Sequence, residues 1–144
     1  MGKGGVIMRL WSYQLIESGV LPDKMLVSQW RECLAIKRQW EKGTLKHRLV
    51  NYVMVYDKRY FRNYILELIR EMYKRNINFK QIYMNELIEF ANYFDDLEAY
   101  SYKYPEHNDR YLKQCLYNLQ EKADRGIITQ EEWQKIEDKF GGVM

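Results

Sequence analysis

The chain has 144 residues, 47% hydrophobic and 30% charged, enough for one globular domain with a core of ordinary size and no second domain. No apolar run approaches the ~18 residues of a membrane span, and the N-terminus lacks an apolar segment with a small-residue cleavage site, so a cytoplasmic protein is expected. The net charge of +3, from 23 basic and 20 acidic residues, is too small to announce nucleic acid by itself.

Residues 1–7, MGKGGVI, carry neither helical nor strand periodicity and no apolar anchor. The Lys-Gly-Gly codons can spell AAAGGAGG, a bacterial ribosome-binding sequence, shortly before the Met8 codon. The natural start is therefore expected at Met8, with 1–7 a mis-assigned or disordered extension and 8–144 a single helical domain; an ordinary flexible tail is the alternative. On that expectation the free α-amine belongs to Met8.

The first clear helix is predicted over about residues 22–41, with Pro22 at a favoured first-turn position and Gly43 just past the end. Met25, Leu26, Trp30, Cys33, Leu34, Ile36 and Trp40 form its apolar arc, Lys24, Arg31 and Arg38 a basic stripe, and Glu32 falls at the seam. A second helix, about 57–76, places Phe61, Tyr64, Ile65, Leu68, Ile69 and Met72 on one face. A third, about 80–97, carries Leu87, Ile88, Phe90, Ala91 and Phe94; a fourth, about 108–125, carries Tyr111, Leu112, Cys115, Leu116 and Leu119 and ends at Gly126. Thr129 then reads as the N-cap of a short last helix, with Glu132 completing a capping box. Nothing reads as a strand pair. The expected fold is all-α, a single compact domain of about four to five helices.

Cys33 and Cys115 lie in apolar helical contexts and read as buried thiols. The two histidines, His47 and His107, and the absence of Cys-x-x-Cys or His-x-x-x-His spacing argue against a metal site. Basic residues cluster at Lys37-Arg38, Lys46-His47-Arg48, Lys58-Arg59 with Arg62, and Lys74-Arg75, a pattern that fits one polyanion-binding face or merely solvated helix surfaces. The thirteen tyrosines sit mostly at helical spacing beside Leu, Ile and Phe, which favours packing over base stacking.

Three stretches rise above a generic helical domain: Met8-Arg9-Leu10-Trp11, LPDKMLVSQWRE (21–32) and LELIREMYKRNINF (66–79). The second resembles, nearly position for position, the glutamate-bearing helix of the pyrimidine-dimer DNA glycosylases, the family of phage endonuclease V. The third resembles a later helix of the same family. MRLW, HRLVNYV (47–53) and H-x-x-x-Y-L-x-x-C-L-x-N-L (107–119) look like a bacterial branch of it.

The resemblance implies a DNA repair glycosylase with abasic-site lyase activity on double-stranded damaged DNA, pyrimidine dimers among the candidate lesions, working as a monomer without metal or other cofactor. In that family the α-amine of the first residue attacks the sugar C1′, expels the base and holds the deoxyribose as an imine, and β-elimination then cuts the strand. An α-amine titrates near ~7.7–8.0 against ~10.4 for lysine, so an appreciable fraction is neutral at physiological pH. Bulky Arg9 is expected to stop removal of the initiator methionine, which makes Met8 the implied nucleophile where the phage enzyme exposes a threonine. Glu32 matches the family's essential glutamate. Arg9 and Arg31 match arginines on DNA phosphates near the scissile sugar, Lys122 matches a lysine of similar role, and His47 is a further candidate DNA contact. Three positions depart from the family pattern: Met25 stands for a histidine, and Ala35 and Asn118 for arginines, which bears on lesion recognition. From the residues alone, a surface Arg31-Glu32 pair, a non-catalytic helical DNA- or RNA-binding protein and a helical protein-interaction domain without affinity for nucleic acid remain the alternatives.

Overall fold

A computed structural model describes residues 9–91 and 102–144, and among them every regular element is helical: α1 (Tyr13–Ser18), α2 (Asp23–Lys42), a 3₁₀ segment (Asn51–Val55), α3 (Lys58–Lys74), α4 (Gln81–Ala91), α5 (Asp109–Asp124) and α6 (Gln130–Phe140). Six α-helices therefore stand where four to five were expected. The additional one is α1, six residues with no side-chain cap, too short to write a periodic pattern. The predicted third helix is seen over Gln81–Ala91; its remainder, with Phe94, lies outside the described residues.

The helix ends follow from their capping chemistry. Gly43 takes the left-handed conformation (φ 70) that closes α2, returning its N–H to the Trp40 carbonyl at 3.0 Å. Asp57 accepts from Arg59 N–H at 2.8 Å to start α3, and Asn108 accepts from Tyr111 N–H at 2.9 Å to start α5. Thr129 and Glu132 exchange the two bonds of a capping box at 3.0 and 2.8 Å to open α6.

Helix α3 is the central element, packed against α1, α2, α4 and the 3₁₀ segment, while α2 also meets α4 and α5 pairs with α6. All six residues of its predicted apolar face are buried. An aromatic triad joins three helices: Trp40 lies 6.0 Å from Phe61 and 5.4 Å from Phe90, ring centre to ring centre. Each such aliphatic or aromatic side chain withdrawn from water contributes roughly 1.5–3 kcal/mol. Cys33 and Cys115 are both buried free thiols. No helix among the described residues is long and apolar enough to cross a membrane.

Several basic clusters are answered by acids, some from the same turn of chain and some from other helices. Glu86 of α4 accepts from Lys37 at 3.0 Å and from Arg38 at 2.9 and 2.9 Å, clipping α4 to α2. Arg38's hydrogen bonds, with Lys37 behind them, pull the Glu86 carboxyl down to about 2. Arg59 sits on Asp57 at 2.9 Å, and Arg75 on Glu71 and Asp23, each at 2.8 Å. These cations are held within the molecule. Arg9 and Lys122, by contrast, make no ion pair among the described residues and line the site described next.

Candidate active site

Residues 9–12 run without regular secondary structure, so their backbone groups must find partners elsewhere. Side chains from distant elements supply them. Gln29 Nε2 of α2 donates to the Arg9 carbonyl at 2.9 Å, and Trp11 N–H donates to Gln29 Oε1 at 2.6 Å. The Tyr64 hydroxyl of α3 reaches the Trp11 carbonyl at 2.7 Å, and the Tyr111 hydroxyl of α5 donates to the Leu10 carbonyl. Tyr13 N–H, opening α1, donates to His107 Nδ1 at 3.1 Å.

His107 is 4% exposed, and burial lowers its pKa to about 4, so it is neutral at ordinary pH. Because Nδ1 accepts from an amide, the ring proton resides on Nε2, which donates to the Tyr52 hydroxyl at 2.6 Å. The imidazole is thus an anchor for the N-terminal segment.

The stitched segment ends at the carboxylate of Glu32. Gln29 Nε2 donates to it at 3.0 Å, and the Arg9 backbone N–H faces it. Burial pushes the Glu32 carboxyl up to about 7, against the opposing pull of the Arg9 N–H, the Arg9 guanidinium, the Gln29 amide and the Lys122 ammonium. A group poised there is divided between acid and base at neutral pH, the condition in which proton transfer in either direction is cheap.

Glu32 opens into a cleft of about 410 Å³ shared with Arg9 and Lys122. Trp11, Met25 and Ser28 line one side, and Asn118, Glu121 and Arg125 the other. Three cations thus face two carboxyl groups, one of them half-neutral, which gives the cleft a net positive field.

Of the residues singled out in the sequence, the structure brings Arg9, Glu32 and Lys122 into this one cleft. Arg31 is exposed on the neighbouring face of α2, in a separate cleft of about 320 Å³ with Trp30, Phe79, Lys80 and Tyr83. His47 is half-buried in the loop after α2, where its N–H donates to Asn51 Oδ1 at 2.9 Å, and it lines neither cleft. Met8 lies outside the described residues. Two of the three departures, Met25 and Asn118, line the Glu32 cleft, whereas Ala35 packs half-buried against the core. Sequence reasoning missed Gln29, Trp11, Ser28, Glu121 and Arg125. Gln29 had a signal: it falls at i+4 from Met25 and i−4 from Cys33, a polar residue in the middle of an apolar arc, which demands buried hydrogen-bond partners.

An all-helical domain with a near-neutral carboxyl at the base of a cation-rimmed cleft defines a class of protein suited to chemistry on a polyanion. The family model for pyrimidine dimer DNA glycosylase matches residues 8–85, and the chain belongs to that family. The match takes in Arg9, Gln29 and Glu32 and stops before α5, which carries Lys122. Comparisons with curated proteins and with solved structures returned no match.

Proposed function

We propose that the protein is a DNA glycosylase with abasic-site lyase activity, in which the α-amine of a chain beginning at Met8 is the nucleophile and Glu32 its acid/base partner. One observation carries this reading: Gln29 Nε2 donates both to the Arg9 carbonyl at 2.9 Å and to Glu32 Oε2 at 3.0 Å, which holds the backbone of residue 9 beside the carboxylate. In a chain that begins at Met8, the α-nitrogen is tied to the Arg9 amide nitrogen through two carbons, so the two lie at most about 3.7 Å apart at any torsion angle. The family match also opens at residue 8. A start at Met1 turns the same nitrogen into a peptide nitrogen with no free lone pair.

In the reaction, the neutral amine forms a bond to C1′ as the C1′–base bond breaks, and the base leaves with a proton. Glu32 then donates a proton to the ring oxygen as the C1′–O4′ bond opens, and the nitrogen, keeping its remaining proton, becomes a protonated imine. The ionised Glu32 left behind stabilises the positive charge of that imine. Removal of a C2′ proton then expels the 3′ phosphate. Arg9, Lys122 and Arg125 hold the flanking phosphates, which fixes register on double-stranded damaged DNA. These steps call on no metal, and activity in EDTA is the expected result. Pyrimidine dimers are the first lesion to test, and Met25 and Asn118, which line the cleft, are the residues positioned to alter that preference.

The test is borohydride trapping on a duplex with an abasic site, comparing protein begun at Met8 with protein begun at Met1. A covalent adduct restricted to the Met8 form supports the reading. No adduct from either form, with DNA binding intact, overturns it in favour of a non-catalytic DNA-binding protein.

A further inference from the structure

We propose that Gln29 is the positioning residue of this site, locking the N-terminal segment to Glu32 and so setting the separation between the reacting nitrogen and the carboxyl. This rests on the lyase reading above. Gln29 is fully buried, and its carboxamide is saturated. Oε1 receives the Trp11 N–H at 2.6 Å and lies 2.9 Å from the Tyr64 hydroxyl; Nε2 gives one hydrogen to the Arg9 carbonyl at 2.9 Å and the other to Glu32 Oε2 at 3.0 Å. The orientation is forced. Turning the amide over sets its NH₂ against the Trp11 N–H and its oxygen against two acceptors.

Position 29 suits the task because Gln29 and Glu32 are one turn apart on the same face of α2. The charged and titratable groups facing Glu32 are Arg9 from the N-terminal segment, Cys33 from α2, Tyr111, Glu121 and Lys122 from α5, and Arg125 just beyond it. Among the described residues, Gln29 is the side chain that bonds both the carboxylate and the backbone of the segment that leads to it. Without it the segment keeps its anchors on Tyr64, Tyr111 and His107 but loses its link to Glu32.

Two variants test this. Gln29→Met keeps the volume and removes every polar contact; Gln29→Glu keeps an acceptor for Trp11 N–H and places a like charge beside Glu32. Both are made in protein begun at Met8, with three readouts: the Glu32 titration by carbon-13 carboxyl NMR, the borohydride-trapping rate, and the affinity for an abasic-site duplex. The expected result is a Glu32 midpoint moved upward in both, by about one unit or more in Gln29→Glu, where the like charge acts. The trapping rate should fall roughly a hundredfold, the effect of a 1 Å misplacement, with DNA affinity held within about threefold. A Glu32 titration unchanged in both variants, or a rate that falls only in proportion to the fraction unfolded in a thermal melt, overturns the proposal. Failure of the parent protein to trap at all sinks the lyase reading instead, and the NMR shift still decides whether Gln29 is coupled to Glu32.

Discussion

Lys122→Ala removes one of three cations that share the cleft with Glu32, and its consequence for DNA binding can be worked out in advance. Each phosphate neutralised on a duplex steepens the fall of log K with log salt by about 0.9. If Arg9, Lys122 and Arg125 each hold one phosphate, the cleft contributes a slope of about −2.7, or about 40-fold weaker binding between 50 and 200 mM salt. Without Lys122 the slope becomes about −1.8 and the weakening about 12-fold. Phosphate contacts elsewhere add equally to both proteins, so the difference of about 0.9 is the quantity to read. Arg38→Ala is the control, because both of its bonds to Glu86, at 2.9 and 2.9 Å, hold it on α4. Fluorescence anisotropy on an abasic-site duplex across that salt range measures all three proteins. An unchanged slope in Lys122→Ala, or an equal decrease in Arg38→Ala, refutes the assignment of the cleft as the phosphate-binding surface.

Three further outcomes follow from the geometry. The Glu32 carboxyl titrates higher in the folded protein, at about 7, than its ordinary value of 4.5, so its ionisation opposes folding as pH rises through that window. Glu32→Gln should therefore gain about 1–2 kcal/mol on its parent between pH 5 and pH 8, discounted for partial exposure, while strand cleavage disappears; an equal urea-melt gap at both pH values contradicts this. His107 behaves in the opposite sense, since its pKa drops from 6.5 to about 4 and its neutral-state stability is lost as pH falls. Acidification from pH 7.5 to 5 should cost the parent about 2 kcal/mol more than His107→Gln, read from paired denaturation curves. Thr129→Ala, which removes the hydroxyl that caps α6, should lower stability by about 1 kcal/mol in urea and leave the salt slope of DNA binding untouched.

Much of the architecture was legible because its signals are local. Pro22, Gly43, Asp57, Asn108 and Thr129 announce helix ends through their own backbone or side-chain chemistry, and the face of α3 repeats often enough to be read directly. Glu32 stood out through its place at a seam and through resemblance. What stayed hidden depends on contacts between distant residues. The Lys37-Arg38 pair looked like an open basic cluster until Glu86, 49 and 48 positions on, was brought against it. Neither the burial that lifts Glu32 nor the separation of Arg31 from its cleft is written in residue order, because both require knowing which helix covers which face of α2. Gln29 was visible as an anomaly, but its four partners were not.

The stitching of residues 9–13 has a consequence for how the protein comes into being. Leu10 waits on Tyr111 and Tyr13 on His107, partners 101 and 94 positions later in the chain. Translation delivers the N-terminal segment first and its anchors last, and closing loops of that length is slow compared with forming a helix. The nascent chain therefore carries Arg9, Gln29 and Glu32 long before the anchors at His107 and Tyr111 exist. Assembly of the cleft is deferred until α5 has left the ribosome, so a truncated or half-folded chain has the residues of the site without the site.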